Sequence, residues 1–190
     1  ACPEHHAIKK PMKLDWIEGA SIPEVYATCW LNLFMEAGMK EGDKVVFHAG
    51  ASGIGTAGVQ LAKAFGCDSF VSAGSKEKID FCLNLGASAG EIRSNDIFAS
   101  IKNWSPEGAD VILDPVGAEY FEKNLQVLGL EGRLVIIGLM GGAQSSLNLG
   151  HLMIKRQKII GSTIRARSVI KKNDIMKELS DNVLPLFDEG

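Results

Sequence analysis

KVVFHAGASGIGTAGVQLAKAFG, residues 44–66, is the stretch around which the rest of the chain is organised. Its short apolar run at residues 45–47 is typical of a strand buried on both faces of a parallel sheet. Beyond the glycines, apolar residues recur at helical spacing from Ile54 to Phe65, and Gly66 stands where a C-terminal glycine ends a helix. The stretch therefore predicts a strand, a glycine turn and a helix.

The glycines of this turn can be read in two registers of the dinucleotide-binding pattern G-x-G-x-x-G. Gly53, Gly55 and Gly58 match the pattern literally, but they begin several residues after the strand. The register from Gly50 to Gly55 follows the strand directly, so we prefer it. In that register Gly58 packs the helix against the sheet. Ser52 then adds a hydroxyl to the N–H groups that hold a phosphate at a helix start.

Length and composition limit the classes of protein that fit this chain. Its 190 residues are 46% hydrophobic and carry a net charge of -3, enough for one good core and unlike a nucleic-acid-binding protein. No apolar run approaches the length of a membrane span, and no secretory signal opens the chain, so we expect a cytoplasmic protein without a membrane partner. The four cysteines lie far apart, which favours free thiols. Cys2 with His5 and His6 is more typical of a frayed terminus than of a metal cluster, so we predict no metal site.

The N-terminal part of the chain is interpreted as a connection followed by a helix. Residues 1–20 show no sustained period and are typical of a connecting arm. Ser21 as the cap, Pro23 in the first turn and Glu24 completing a capping box predict a helix start, and Gly38 ends that helix. The main domain is therefore expected to span residues 21–190.

Strand and helix patterns then alternate to the end of the chain. The predicted strands lie at residues 45–47, 69–73, 89–92, 109–113, 133–137 and 158–164, and the helices that follow them at residues 54–65, 76–85, 97–104, 120–128, 149–156 and 174–187. Such βαβ units cross over right-handed. The sequence therefore predicts an α/β protein with a Rossmann-like, doubly wound parallel sheet in the order 3-2-1-4-5-6 and helices on both faces.

Ligands bind such sheets at the carboxyl ends of the strands, and the loop after the second strand selects the dinucleotide. An NAD site places an acid there to accept from the ribose 2′-OH, but residues 73–75 are Ala, Gly and Ser. Lys76 and Lys78 follow at a helix start, where a 2′-phosphate would meet cations and N–H groups. We therefore predict NADPH as the cofactor. The alternative is that both lysines form a solvated helix face, with Glu77 weakening the positive field.

Several motifs follow one another along the chain at characteristic separations. They are His48–Gly55, Ser72–Ser75, Asp114–Gly117 and Gly138–Gly142, with Ile22–Glu24 upstream. With these motifs the chain resembles the zinc-independent quinone oxidoreductases of the medium-chain dehydrogenase/reductase superfamily over nearly its whole length. The resemblance implies a GroES-like catalytic domain before this segment and a closing stretch of that domain after it. Residues 21–190 would then be a C-terminally truncated NADP-binding domain, inactive by itself.

The same resemblance implies the roles of individual residues. It implies pyrophosphate on Ser52, Gly53, Ile54 and Gly55, and the 2′-phosphate on Gly74, Ser75 and Lys78. Arg93 stands where family members commonly have a tyrosine near the adenine, which leaves stacking open and adds a cation. Nicotinamide is implied along Ile137, Gly138, Leu139 and Met140, with the backbone of Ser162, Thr163 and Ile164 near its carboxamide.

The implied activity is transfer of reducing equivalents from NADPH to a quinone or a related α,β-unsaturated carbonyl. Such transfer depends on positioning, so we assign no catalytic residue, and Tyr120 is interpreted as a helix residue because Asn124 stands where a short-chain dehydrogenase has lysine. Two alternatives are an NADPH-dependent enoyl reductase and a non-catalytic nucleotide-binding redox sensor. We also expect a homodimer through the sixth strand, Lys158–Ile164, unless the basic residues that follow it protect its edge.

Overall fold

The computed structural model describes residues 3–189, and helices alternate with strands along them. A short 3₁₀ turn, Glu4–His6, precedes the first long helix, α1, Trp16–Cys29, which continues as a π-helix, Trp30–Glu36. The strands are β1 Lys44–Phe47, β2 Asp68–Ala73, β3 Ala89–Ile92, β4 Ala109–Asp114, β5 Leu128–Ile136 and β6 Lys158–Gly161. The other helices are α2 Gly53–Ala64, α3 Lys76–Leu85, α4 Ile97–Trp104, α5 Ala118–Val127, α6 Leu149–Ile154, α7 Val169–Asn182 and α8 Leu184–Glu189. Within this described part of the chain, no helix is both long enough and apolar enough to span a bilayer.

The six strands form one parallel sheet in the order β3-β2-β1-β4-β5-β6. The predicted α/β class, Rossmann-like topology and strand order are confirmed. Alternate residues of β1 supply opposite faces: Val45 and Phe47 join a core with α1, α2, α3 and α7, while Val46 joins a second core with α4 and α5. Because both faces of the central strands are covered by helices, ligand access is left to the carboxyl edge of the sheet.

Three glycines, in the turn after β1 and in the first part of α2, make contacts that leave no room for a side chain. A Cβ on Gly55 would lie 2.3 Å from the Gly50 carbonyl oxygen, and one on Gly50 would lie 2.5 Å from Val71 Cβ. A Cβ on Gly58 would lie 2.4 Å from a ring carbon of Phe47. The predicted role of Gly58 in packing the helix against the sheet is confirmed, and the tight turn runs from Gly50 to Gly55 as preferred.

The predicted start of the first helix at Ser21 is wrong. The helix begins at Trp16, capped by Asp15, whose side chain accepts from the Glu18 N–H at 2.8 Å while the Glu18 carboxylate accepts from the Asp15 N–H at 2.9 Å. This complete capping box satisfies two N–H groups that otherwise lack helical partners. Pro23 lies inside the helix and not in its first turn.

Two strand boundaries also differ from the prediction, because neighbouring strands set them. β5 begins at Leu128, which was assigned to the preceding helix, since Leu128 pairs with Ala109 of β4 and is fully buried. β6 ends at Gly161 and not at Ile164, since Gly161 pairs with Ile136, the last residue of β5. The end of one strand therefore removes the hydrogen-bonding partner that the next would need.

The helical segments after β5 are shorter or divided relative to the prediction. The helix predicted over residues 149–156 ends at Ile154. The one predicted over residues 174–187 is two helices, since α7 begins at Val169, capped by the Ser168 hydroxyl, and α8 begins at Leu184. Pro185 therefore lies in the first turn of a new helix, a position where its missing N–H costs nothing.

Candidate functional site

A cleft of about 220 Å³ opens at the carboxyl edge of the sheet, where β1, β2 and β4 end. Five of the residues predicted to bind a cofactor line it: Ser52, Gly74, Lys78, Arg93 and Met140. Its other lining residues are Ala49, Ala51, Ser72, Ala73, Val116 and Tyr120. The fold thus brings the glycine turn, the end of β2 and the residue after β3 to one site.

The glycine turn presents backbone donors at the start of α2. The Ser52 hydroxyl caps the helix by accepting from the Gly55 N–H at 3.1 Å. Gly53 and Ile54 have no hydrogen-bond acceptor for their N–H groups among residues 3–189. The Gly55 N–H is therefore already bonded within the protein, and the implied role of Gly55 in binding pyrophosphate stays a prediction. The donors of this turn that remain free for an anion, among the described residues, are the N–H groups of Gly53 and Ile54 and the proton of the Ser52 hydroxyl.

Two cations, Lys78 and Arg93, line the same cleft. Neither Lys78 nor Arg93 forms an ion pair within the described residues. The Arg93 guanidinium lies over Gly74, with Nη2 3.5 Å from the place that a Cβ there would take. Lys76, which the sequence also suggested as a phosphate ligand, pairs with Asp80 at 2.5 Å and does not line the cleft.

Ser75 is the N-cap residue before α3, but its side chain forms no capping hydrogen bond. A hydrogen bond from the Ser75 hydroxyl is the main cause that lowers the pKa of the Glu77 carboxyl, which lies fully exposed in the first turn. The binding role of Ser75 stays a prediction, and its backbone N–H stands beside Gly74 in the loop that lines the cleft.

A chain of buried polar groups lies beneath the cleft, and sequence reasoning missed it. Asp114 accepts from Asn124 Nδ2 at 3.1 Å, Asn124 Oδ1 lies 2.7 Å from His48 Nε2, and His48 Nδ1 lies 3.0 Å from the Ser72 hydroxyl. All four residues are at most 3% exposed. Burial lowers the pKa of the His48 imidazole to about 4, an effect that the bond to Asn124 partly offsets. Burial also raises the pKa of the Asp114 carboxyl against the hydrogen bonds that it accepts.

Tyr120 has a more specific place than the helix position that the sequence gave it. It lines the cleft, and its ring packs edge-on against His48 and Phe98, with centroids 4.9 and 5.3 Å away. Burial is the main cause that raises the pKa of its phenol. Tyr120 and Asn124 are four residues apart on α5, so both face the sheet edge. This spacing of four residues was the only sequence signal that could have placed Tyr120 and Asn124 together.

The residues predicted to hold nicotinamide lie farther along the same edge. Ile137 donates its N–H to the Asp114 carbonyl at 2.9 Å, and a Cβ on Gly138 would lie 2.6 Å from the Pro115 carbonyl oxygen. Leu139 and Met140 are exposed by 57% and 77%. Ser162, Thr163 and Ile164 follow the last strand, and only the Ser162 N–H bonds to β5, at 3.1 Å from the Ile136 carbonyl oxygen. Of these residues only Met140 lines the cleft.

Comparison with known proteins places this site in a family. The sequence pattern of the family described as zinc-binding dehydrogenase matches residues 53–181, more than half of the chain. Human quinone oxidoreductase is 31% identical over 163 residues, which cover 85% of this chain and 49% of that protein. The chain thus spans about half the length of this relative.

Several solved structures share the fold of this chain, at a sequence identity close to that of the human relative. A quinone oxidoreductase from Thermus thermophilus, described also in complex with NADPH, is 29% identical with a TM-score of 0.81, over 94% of this chain and 56% of that one. The JamJ enoyl reductase is 25% identical with a TM-score of 0.82, over 99% and 56%. An NAD-dependent alcohol dehydrogenase is 30% identical with a TM-score of 0.80, over 95% and 52%.

The family description names zinc, and the described residues do not fit a zinc site. Within residues 3–189, no three His, Cys, Asp or Glu side chains are grouped closely enough to hold a metal ion. The suggested cluster of Cys2 with His5 and His6 cannot be placed, because Cys2 lies outside the described residues. The match to this family nevertheless rests on the nucleotide-binding fold. The chain belongs to the zinc-binding dehydrogenase family, as a cofactor-binding domain of the zinc-independent quinone oxidoreductase type within the medium-chain dehydrogenase/reductase superfamily.

Proposed function

We propose that this chain is the NADPH-binding domain of a reductase that acts on quinones or related α,β-unsaturated carbonyls. The observation that carries the proposal is the pair of cations, Lys78 and Arg93, beside a strand end that offers no carboxylate to a ribose 2′-OH. A 2′-phosphate adds two negative charges at this position, and both cations lack another partner within residues 3–189. Charge-assisted hydrogen bonds to phosphate then favour NADPH over NADH.

The glycine turn suits the pyrophosphate of the same ligand. Its free N–H groups at Gly53 and Ile54 point from the start of a twelve-residue helix, whose dipole adds positive potential. The steric closure of the turn at Gly50 and Gly55 keeps the backbone at the surface, where a phosphate can reach it. Ser52 of the turn and both cations line one cleft, as a ligand with two separate phosphate groups requires.

NADPH supplies a hydride when it is bound, and the protein supplies its orientation. We propose that residues 137–140 support the nicotinamide and that no side chain of this chain acts as acid, base or nucleophile. Similarity to human quinone oxidoreductase supports a quinone acceptor. Similarity to the JamJ enoyl reductase supports the second candidate, reduction of an enoyl group. Both reactions use the same cofactor site.

Steady-state kinetics test the reductase proposal. NADPH oxidation is followed by absorbance with a benzoquinone and with an enoyl thioester, using this chain and the longest natural protein that contains it. We expect the longer protein to turn over one acceptor at roughly 1 to 1,000 per second and this chain to show almost none, because positioning supplies most of the rate. Binding of NADPH by both proteins without turnover of either acceptor by the longer one would contradict the proposed activity.

We also propose that two copies pair through β6, which lies at the edge of the sheet with Ile159 and Ile160 half-buried. The Ser162 N–H bonds to β5, so the alternating pattern of the ladder directs the Gly161 N–H away from the sheet. Gly161→Pro therefore blocks the free edge without removing a bond inside the sheet. Gly161→Ala is the matched control, since a Cβ there meets nothing within 4 Å.

Light scattering at micromolar concentration measures the mass of each variant. The wild type and Gly161→Ala should weigh about twice 20.4 kDa, and Gly161→Pro should weigh 20.4 kDa. A wild-type mass of 20.4 kDa would contradict pairing and favour the alternative that the basic residues after the strand protect its edge. The division into an arm at residues 1–20 and a domain at residues 21–190, and the cytoplasmic location, stay predictions.

A further inference from the structure

The direction of every hydrogen bond in the buried polar chain follows from its first member. Asp114 is fully buried and accepts from the N–H groups of Val116 and Gly117 at 2.6 and 3.2 Å. Its carboxylate also faces the Asn124 side chain, which must present its NH₂ group at 3.1 Å, because the flipped amide would set two acceptor oxygens against each other. The amide oxygen of Asn124 is therefore directed at His48.

That amide oxygen determines which nitrogen of His48 carries the ring proton. Nε2 lies 2.7 Å from Asn124 Oδ1, so it must be the donor. A neutral imidazole has one N–H, and burial, which lowers the pKa to about 4, keeps the ring neutral at neutral pH. Nδ1 is therefore an acceptor, and the Ser72 hydroxyl, 3.0 Å away, must donate to it. Ser72 thus uses its only hydroxyl proton inside the protein.

We infer that Ser72 determines specificity by accepting a hydrogen bond from a donor group on the adenosine portion of the nucleotide, an inference that rests on the proposed function. Ser72 lines the cleft, and its hydroxyl oxygen keeps lone pairs that His48 does not need. Its backbone carbonyl is already bound by the Gly50 N–H at 2.9 Å. Ser72 offers the ligand an acceptor and no donor. It therefore favours a ligand group that can donate, because an acceptor placed against the hydroxyl oxygen would leave both that acceptor and the hydroxyl oxygen without a hydrogen.

Two groups of adenosine can supply the hydrogen, the 6-amino group of the purine and the ribose 3′-OH. The probes are 2′,5′-ADP, its 6-oxo counterpart made from inosine and its 3′-deoxy counterpart, each titrated calorimetrically into this chain. We expect one analogue to bind the wild type about tenfold more weakly than 2′,5′-ADP, the effect of one hydrogen bond. The difference should vanish in Ser72→Ala and remain in Ser72→Thr, which keeps the hydroxyl.

The outcomes separate this inference from the proposed function. Equal affinity of all three probes for the wild type, or a difference that Ser72→Ala leaves unchanged, would overturn the inference while nucleotide binding stands. A wild-type chain that does not bind 2′,5′-ADP would overturn both.

The tautomer of His48 provides a test that needs no variant. Proton–nitrogen correlation spectra of histidine-labelled protein at neutral pH should show the buried ring protonated at Nε2 alone. A ring protonated at Nδ1 would reverse the direction of the chain and contradict the inference.

Discussion

The carboxyl edge of the sheet has two regions that differ in how their residues are held. We call residues 48–55, 72–78 and 114–124 with Arg93 the adenosine region, after the ligand portion proposed to bind there, and much of it is fixed by buried contacts. The second region, residues 137–164, is named the nicotinamide region after its proposed role. It carries a series of exposed apolar side chains: Leu139, Met140, Leu147, Leu149, Met153 and Ile154. In the first region the protein itself sets the geometry of each polar group. In the second it leaves apolar surface in water.

This difference predicts which region of the chain binds the nucleotide by itself. Pre-organised donors and cations cost little to order when a ligand arrives, so affinity should come from the adenosine region. Exposed apolar side chains at the nicotinamide region do not exclude water or hold a ring in one pose.

The largest difference in NADPH affinity is expected between glycine-to-alanine changes in the two regions. In Gly55→Ala the new Cβ would lie 2.3 Å from the Gly50 carbonyl oxygen, so the turn must open. The free N–H groups of Gly53 and Ile54 would then no longer point at the phosphate. We expect NADPH affinity to fall roughly 100-fold or more, the loss of charged hydrogen bonds to phosphate. Gly161→Ala meets nothing within 4 Å and should leave affinity unchanged. Calorimetric titration of both variants measures this, and similar affinities would refute the assigned turn.

Acid should destabilise the protein through His48. Its pKa in the folded protein, about 4, lies below its ordinary value of 6.5, so the unfolded chain binds the proton first as the pH falls. The free energy of unfolding that neutral His48 contributes is fully present above about pH 6.5. It is lost as the pH falls from there to about 4, and the loss amounts to about 3 kcal/mol. The raised pKa of Asp114 opposes this trend.

Urea unfolding at intervals between about pH 7 and 4 measures this effect against His48→Gln, a variant that cannot titrate there. The free energy of unfolding of wild type should fall more steeply than that of the variant. Parallel curves would show that His48 is not buried in its neutral form.

Asparagine-to-leucine changes compare a buried amide with an exposed cap. Asn124→Leu leaves the His48 N–H and one Asp114 lone pair unpaired beneath the cleft, and should cost about 2–3 kcal/mol of unfolding free energy. Asn148→Leu removes only the exposed cap of α6, which accepts from the His151 N–H, and should cost about 1 kcal/mol or less. Equal losses in urea unfolding would argue against the buried polar chain.

The same division explains how much the sequence could predict. The glycine turn, Gly58 and the strand order follow from local patterns and chain connectivity, and the structure confirms them. The contact of His48 with Asn124 joins residues 76 positions apart, so no local pattern contains it. Lys76 pairs with its i,i+4 neighbour Asp80, a local partner that the sequence interpretation did not consider. The end of β6 depends on where β5 ends, which is tertiary information.

The most direct test of the proposed preference for NADPH is calorimetric titration of the wild-type chain with NADPH and with NADH. We predict tighter binding of NADPH. Lys78→Ala and Arg93→Ala should each lose about 1–3 kcal/mol of NADPH binding free energy and leave NADH unchanged. Lys76→Ala, whose ammonium pairs with Asp80, is the matched control and should change neither affinity. Equal or tighter binding of NADH by the wild type would contradict the account.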